Sequence, residues 1–432
     1  MRNRQQNALI ASVVLGTLLF GSLGALGSKP DSLGYSAIGL GHTTTMNGPS
    51  WTLAATHPAG LLSCTEKTLS HGYTLSQFSK EIESQTTRTQ TTQGFEGGLC
   101  LPSHLIDLDA VIGLTWFLPN QHITSLRTQS PRGPMMVFFE DRLDRLAIVS
   151  SIALGQHDVW GVGLGVEHLA TTVGKIQLSG ELLLDETEQP NLEGTIDFLF
   201  ESKRRLLASA WMKLFPSLRL GIAYAAPLGL TVDLDLDFDG DVSSSPGAPL
   251  LEDVSLLLAS HLYAYGTPPK WSSHLKFNHR MGELAFEINL IDWAALEVPL
   301  PTSTVTTSLR DEETRVESTT NPMRSTWQVS LGYSSPEIVS SDIGFWRLHG
   351  GLRYDQGLTL PDQAIILDVP KLHVGLALEW RLQRSNAWPT AALGGRYVHG
   401  FSTIFKTDNE DYGSFVTNLY GFSSQFDLTW SW

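Results

Sequence analysis

The sequence predicts an all-β protein, namely a transmembrane antiparallel β-barrel with an N-terminal hatch in its lumen. Three observations favour this fold. Long stretches alternate between apolar and polar residues, aromatic residues stand at the ends of these stretches, and the chain itself ends in such a stretch with a terminal tryptophan. A period of two is typical of a strand with one apolar face, and aromatic residues at strand ends are typical of membrane interfaces.

The strand prediction depends on the length of the alternation. From Leu372 to Leu382, apolar residues alternate with polar or small ones over eleven positions. A transmembrane barrel strand needs about 9 to 11 residues, whereas soluble strands average about 5 to 6. A large soluble sandwich or solenoid would also alternate and is the alternative fold. About 17 segments qualify as strands: 67–77, 93–101, 107–117, 145–155, 160–167, 175–184, 194–201, 205–214, 218–225, 229–238, 273–280, 283–291, 327–333, 345–354, 372–382, 391–399 and 421–432.

Aromatic residues favour the membrane barrel over the soluble fold. Trp and Phe side chains settle at the two interfaces of a bilayer. The final strand carries Trp430 and Trp432 on its apolar face, and a terminal aromatic resembles the signal that the outer-membrane barrel assembly machinery reads, which makes this machinery an expected partner. The aromatic residues at predicted strand ends are Trp116, Phe117, Trp160, Trp271, Trp327, Trp346, Trp380 and Trp430.

The composition excludes several other classes of protein. The net charge is −15 and only 17% of the residues are charged, against about 25% in soluble domains. Nucleic acid is not an expected partner, because phosphate binding needs basic patches that this acidic chain lacks. The mean hydropathy of −0.03 leaves too little apolar sequence for a membrane protein built of many helices.

The N-terminus predicts an exported protein. Arg2 and Arg4 precede an apolar stretch over 8–20, and Ala25 and Gly27 are small residues at the −3 and −1 positions of a cleavage site. We expect residues 1–27 to be a cleaved signal peptide; the alternative is an uncleaved anchor helix. The mature chain then divides into a hatch over 28–66 and a barrel over 67–432 in the bacterial outer membrane.

The segment 28–66 differs from the rest, since it is small and Gly-rich with little alternation, as suits a compact plug. Here the chain resembles the FadL/TodX-type outer-membrane transporters of long-chain fatty acids and hydrocarbons, whose hatch has an Asn-Pro-Ala turn before the first strand. His57, Pro58, Ala59 and Gly60 stand at that turn. His57 departs from the family pattern, because Asn suits a turn-capping role better.

The resemblance continues in order along the chain, at 108–119, 218–228, 267–293 and 326–354. It implies a barrel of about 14 strands, plugged by the hatch, that imports hydrophobic molecules and releases them sideways into the membrane. Lipopolysaccharide makes the outer leaflet a poor solvent for such molecules, so that a carrier is needed. Two alternatives remain: a FadL-like barrel used as an assembly or secretion scaffold, and a general porin with a charged, water-filled lumen.

Glycines and acidic residues provide further candidates. The glycines of 161–165 and 350–351 would leave room for a plug, although strand glycines also mark bulges. An acidic run alternates with apolar residues at Asp233, Asp235, Asp237, Asp239 and Asp241. It superficially opens a calcium loop, but position twelve is Pro246 rather than Glu. We expect a strand whose carboxylates face the lumen or solvent, where a divalent cation would offset their repulsion, and whose apolar residues face lipid.

The remaining candidates are the cysteines and the enzyme motifs. Pairing 67–77 with 93–101 about position 82 would put Cys64 opposite Cys100, which predicts a disulfide between the hatch exit and the second strand; free buried thiols are the alternative. The chain lacks the common nucleophile-elbow and zinc motifs, and His274 and His279 have no carboxylate at a telling spacing. We therefore expect neither an enzyme nor a cofactor.

Overall fold

The structure is a computed structural model of the 432-residue chain. It describes residues 50–82, 85–88, 92–105, 107–120, 146–183, 191–245, 248–295, 302–307, 310–316, 324–340, 344–357, 369–381, 390–406 and 414–431. The predicted signal peptide, the first part of the predicted hatch and Trp432 lie outside these residues.

Strands make up most of the described chain. In chain order they are β1 (Thr68–Ile82), β2 (Gln85–Arg88), β3 (Thr92–Leu105), β4 (Leu108–Pro119), β5 (Ala147–Gln156), β6 (Trp160–Leu183), β7 (Asn191–Phe215), β8 (Leu218–Ala225), β9 (Leu228–Ser245), β10 (Ala248–Thr267), β11 (Lys270–His279), β12 (Gly282–Ile291), β13 (Thr302–Thr307), β14 (Arg310–Val316), β15 (Thr326–Ser334), β16 (Ile338–Ser340), β17 (Gly344–Asp355), β18 (Lys371–Arg381), β19 (Thr390–Lys406) and β20 (Ser414–Ser431).

Fourteen of these strands close into an antiparallel barrel. Each pairs with the next in the order β1, β3, β4, β5, β6, β7, β8, β11, β12, β15, β17, β18, β19 and β20. The ring closes between the last and the first strand, from Thr68 opposite Ser431 to Ile82 opposite Thr417. The prediction of a barrel of about 14 strands is therefore confirmed.

The two ends of the barrel differ. β1 begins and β20 ends at the same end, and four connections there span only two or three residues (106–107, 157–159, 216–217 and 280–281). We call this the turn end and the opposite end the loop end. In bacterial outer-membrane barrels the short turns lie in the periplasm and the longer loops outside the cell.

The side chains of the wall are arranged inside out. Along β11, Ser272, His274 and Lys276 are buried, whereas Trp271 and Leu275 between them are exposed. The other wall strands repeat this pattern, with polar residues such as Glu287 or Asp427 inside. A soluble sandwich buries its apolar face, so that this arrangement identifies a transmembrane barrel.

Aromatic side chains form a band at each end of the outer face. Trp346 and Trp380 stack with ring centroids 5.4 Å apart near the turn end, and Tyr224 and Trp271 lie 4.4 Å apart near the loop end. On β17, Tyr354 is eight positions after Trp346, which corresponds to about 26 Å along the strand. This length is close to the height of the apolar band in such barrels. Phe117 is an exception to the predicted set, because it is buried inside the barrel.

Six strands lie outside the ring, and some of them extend the barrel at the loop end. β9 pairs in parallel with residues 174–183 of β6, and β10 pairs with both β9 and β13. Together with β7 and β14 they form a six-stranded sheet, which we call the loop-end sheet.

The loop-end sheet explains why about 17 strands were predicted rather than 14. The segments 160–167 and 175–184 are parts of the single strand β6, and 194–201 and 205–214 are parts of β7. The segment 229–238 is a strand, as predicted, but it belongs to β9 in the loop-end sheet and not to the wall. The pairing therefore places it beyond the ring, whereas the prediction treated it as a wall strand.

The described residues contain only short helical turns, namely 3-10 turns at Ser50–Thr52, Pro58–Ser63 and Trp293–Ala295 and an α-helical turn at Leu53–Thr56. None of the helices in this part of the chain has the length and apolar character needed to cross a bilayer.

Candidate functional site: the hatch segment and the polar lumen

Residues 50–63, which we call the hatch segment, lie against the inner face of the wall. Their turns contact β1 and the consecutive wall strands β3 to β7. Trp51, Leu53, Ala54 and Leu61 are at most 1% exposed. The largest apolar cluster of the described residues therefore lies between the hatch segment and one side of the wall, whereas many of the other buried wall residues are polar.

Strand glycines form the seat of the hatch segment. A Cβ atom on Gly163 would overlap the backbone of Ala59, one on Gly113 would lie 2.7 Å from Leu61 Cδ2, and one on Gly98 would lie 2.7 Å from Trp51 Cβ. The glycines of 161–165 thus leave room for a plug, as the sequence suggested. Gly350 does not, because the nearest atom to its added Cβ is Leu376 Cδ2 at 3.5 Å.

A valine at position 163 is expected to loosen the hatch segment. The added side chain would occupy the space of the Ala59 backbone, and overpacking of this kind costs about 1–3 kcal/mol. Leakage of a small solute from proteoliposomes should rise in Gly163→Val. The matched control is Gly350→Val, which carries the same change in a wall strand away from the hatch segment. Equal leakage from the two variants would contradict the glycine seat.

Hydrogen bonds fix the hatch segment to the same strands. The Ala59 N–H donates to Ser209 Oγ at 2.7 Å, and Trp211 Nε1–H donates to the Ala59 carbonyl at 2.9 Å. Ser151 Oγ–H donates to the Ala54 carbonyl at 2.7 Å. Both backbone polar groups of Ala59 are therefore satisfied by β7, which buried peptide groups require.

His57 joins the two helical turns of the hatch segment and faces a second histidine. Its backbone N–H donates to the Leu53 carbonyl at 2.9 Å, and its carbonyl accepts from Gly60 N–H at 2.7 Å. The side chain makes no capping hydrogen bond. Its ring lies edge-on to that of His274 on β11, with centroids 4.9 Å apart. Burial, and secondly His274, lower the pKa of His57 to about 3.

His274 has a carboxylate partner on the neighbouring strand. His274 and Glu287 are directly opposite in the pairing of β11 with β12, and His274 Nδ1 lies 3.4 Å from Glu287 Oε2. Asn289 Nδ2–H donates to Glu287 Oε1 at 2.7 Å, and Ser272 Oγ–H donates to Asn289 Oδ1 at 2.5 Å. The sequence spacing did not indicate this carboxylate, because the partner is opposite in space rather than near in sequence.

Two further polar clusters line the wall. Arg353 Nη2 donates to Asp355 Oδ2 at 2.7 Å, and His373 Nε2 lies 3.1 Å from the same oxygen. Ser334 Oγ lies 2.9 Å from His349 Nδ1, whose Nε2 lies 3.4 Å from Glu379 Oε2. The second cluster has the Ser–His–Glu order of a hydrolytic triad. Ser334 is only 1% exposed, however, so that no substrate reaches it in this state.

Cys64 and Cys100 lie together, although not in the predicted register. Cys100 on β3 is opposite Thr68, and Cys64 precedes β1 at the end of the hatch segment. The paired positions of this hairpin sum to 168 rather than to the expected 164, so that Thr68, and not residue 64, is opposite Cys100. The chain between Cys64 and Thr68 nevertheless returns to Cys100, and the two Cα atoms are 6.7 Å apart, a separation that a disulfide can bridge.

The acidic run lies away from the hatch segment. Asp233, Asp235, Asp237 and Asp239 are on β9, opposite His261, Ala259, Leu257 and Ser255 of β10. The side chains of these aspartates lie outside the described part of the structure. Among the residues that are described, no group of His, Cys, Asp and Glu is arranged to hold a metal ion.

The outer face carries an apolar cavity directly behind the seat of Ala59. It has a volume of about 560 Å³, and Gly163 and Ser209, which contact the hatch segment from the inside, form part of its floor. The small side chains of Ala208 and Ala210 create the depression. Its outward-facing rim includes Ile152, Val162, Leu164, Ile222 and Trp271.

Comparison with known proteins shows which solved structures share this architecture. No protein-family model and no curated protein sequence matches the chain. Among solved structures, a Pseudomonas aeruginosa FadL homologue matches with a TM-score of 0.60 and 13% identity, over 94% of this chain and 99% of that one. The fold is that of the FadL-type channels.

Other structures with the FadL-type fold match similarly. The Pseudomonas putida toluene transporter TodX has a TM-score of 0.56 and 12% identity, over 93% of this chain and 99% of its own. The Ralstonia pickettii toluene transporter TbuX has a TM-score of 0.54 and 13% identity, with the same coverage. These matches span almost the whole described barrel, and at such low identity they carry the fold alone.

Proposed function

We propose that the protein is a bacterial outer-membrane transporter for the uptake of hydrophobic compounds such as long-chain fatty acids or hydrocarbons. The observation that carries the proposal is the combination of a FadL-type, inside-out barrel with a hatch segment seated on the lumen wall. The structural neighbours are transport channels rather than enzymes, and two are toluene transporters. The protein requires no cofactor and uses no catalytic residue.

The hatch segment separates this proposal from a general porin. A barrel of 16–18 strands leaves an aqueous channel unless something fills it, whereas one of eight strands is filled by its own side chains. In a ring of 14 strands, the hatch segment would close part of the lumen. Lateral release into the membrane is part of this proposal, and the apolar cavity lies on the membrane-facing side of the seat, across the paired strands β6 and β7.

Uptake by cells tests the proposal directly. Cells that lack the gene and cells that carry it again are compared for uptake of a labelled long-chain fatty acid and of an alkylbenzene. We expect uptake of at least one compound to return with the gene. The control is a glucose analogue of similar size, whose uptake should stay unchanged. Absence of any difference, with the protein present in the outer membrane, would refute the transporter.

An assembly or secretion scaffold is the second candidate. The loop-end sheet favours it. Residues 191–201 of β7 and strand β14 form the two edges of this sheet beyond the barrel, and transport does not require such edges. In that case no hydrophobic compound would be taken up, and a protein would copurify with the barrel. Outer-membrane lipids, lipopolysaccharide and the barrel assembly machinery are partners under either candidate, the last through the C-terminal sequence that contains Trp430 and Trp432.

A further inference from the structure

His57 of the hatch segment and His274 of β11 form a buried ring contact. His57 is 0% exposed, and neither of its ring nitrogens has a hydrogen-bond partner among the described residues. A neutral imidazole tolerates this environment, but an imidazolium without an acceptor does not, because a buried charge needs a partner.

The surrounding groups do not supply that partner. On β4, β5 and β7 the hatch segment meets the hydroxyls of Thr115, Ser151 and Ser209 and the indole of Trp211, which are all uncharged. On β6 and β7, Glu167 and Arg205 form an ion pair with each other.

The carboxylate nearest to His57 is already used by the other histidine. Glu287 lies 3.4 Å from His274 Nδ1, and both side chains are 1% exposed. Glu287 is therefore placed to pair with His274 rather than with His57. The nearest titratable neighbour of the His57 ring is the ring of His274, at a centroid distance of 4.9 Å.

We propose that His57 is a proton-sensitive latch, which holds the hatch segment on β11 while its ring is neutral and releases it when the ring is protonated. This inference rests on the proposed function, because the latch would control the opening of the barrel. His274 is a positioning residue, because it disfavours the charged form of His57 without contacting a transported molecule, and Glu287 holds the His274 ring in place.

The direction of the pH dependence follows from proton linkage. A free histidine has a pKa of 6.5, whereas burial and His274 lower the pKa of the seated His57 to about 3. The seated state binds fewer protons, so that it is favoured fully above pH 6.5 and is lost as the pH falls from 6.5 towards 3. Over this window the equilibrium constant for seating should fall by up to about tenfold per pH unit.

The test uses the purified full-length protein in proteoliposomes between pH 8 and pH 4. Leakage of a small neutral solute reports the open lumen, and hydrogen exchange of residues 50–63, corrected for the intrinsic effect of pH, reports the seating itself. His57→Phe keeps an aromatic ring beside His274 but cannot be protonated, and His57→Gln is the second variant in case Phe does not fit. The matched control is His279→Gln, an exposed histidine on the same strand as His274.

We expect leakage and exchange of the wild type and of His279→Gln to rise below pH 6.5, and those of His57→Phe or His57→Gln to stay nearly constant. A wild type without pH dependence would overturn the latch, as would variants at position 57 that retain the wild-type profile. Neither readout involves a hydrophobic compound, so a failed latch is distinguishable from a failed uptake assay.

Discussion

Deletion of residues 28–56 is expected to open the lumen to small solutes. The deletion removes Trp51, Leu53 and Ala54, which fill the seat, together with the residues before them, and leaves the wall strands intact. A ring of 14 strands is too wide for its own side chains to close. Permeability should therefore rise to that of a general porin. The measurement is the swelling rate of proteoliposomes in a sugar of low molecular mass.

A shorter deletion provides the control for this experiment. Removal of 28–49 alone keeps the hatch segment with all its contacts to β3–β7, so that its permeability should remain nearer to that of the wild type. Both deletions should retain the heat-modifiable gel mobility of a folded barrel. If the longer deletion leaks no more than the wild type although it is folded, the hatch segment is not a plug.

The sequence predicts the wall strands well because the membrane requires them to be regular. In the bilayer the outward face of each strand must be apolar, and the narrow lumen keeps the other face small or polar, so that alternation is enforced by the surroundings. The terminal strand and 372–382 were found for this reason.

The alternation lapses where the strands leave the membrane. β6 continues to Leu183, but Ala170, Thr171 and Thr172 interrupt the apolar alternation of its sequence, and β7 carries Lys203, Arg204 and Arg205 in succession. There each strand still pairs with its neighbour, but neither of its faces contacts lipid. The sequences of β6 and β7 were therefore each interpreted as two strands. β10, which lies wholly beyond the ring, was missed altogether.

The seat of the hatch segment was partly predictable, whereas the histidine contact was not. Glycines on alternate positions of 161–165 signal that something approaches the inner face closely, although they do not say what. His57 was singled out as a departure from the family turn. Its contact with His274 depends on the register of β11 relative to the hatch segment, and no local pattern encodes a relation between residues so far apart in the chain.

Replacement of both Cys64 and Cys100 by serine is expected to cost about 4 kcal/mol of the free energy of unfolding. The physical reason is loop closure, since a disulfide between positions 36 residues apart restricts the unfolded chain by about that amount. The double variant avoids a single unpaired thiol. Urea titration of the barrel, followed by tryptophan fluorescence, measures the difference in stability.

Reduction of the wild type gives the matched comparison for the cysteine variant. A reductant should lower the stability of the wild type to that of the double variant and leave the variant unchanged. Two titratable thiols in the unfolded, unreduced wild type would show that the cysteines are not bonded. The disulfide ties the chain to β3 at Cys64. A hatch segment that is released at His57 and at the hydrogen bonds of Ala54 and Ala59 would therefore still stay attached to the barrel at this end.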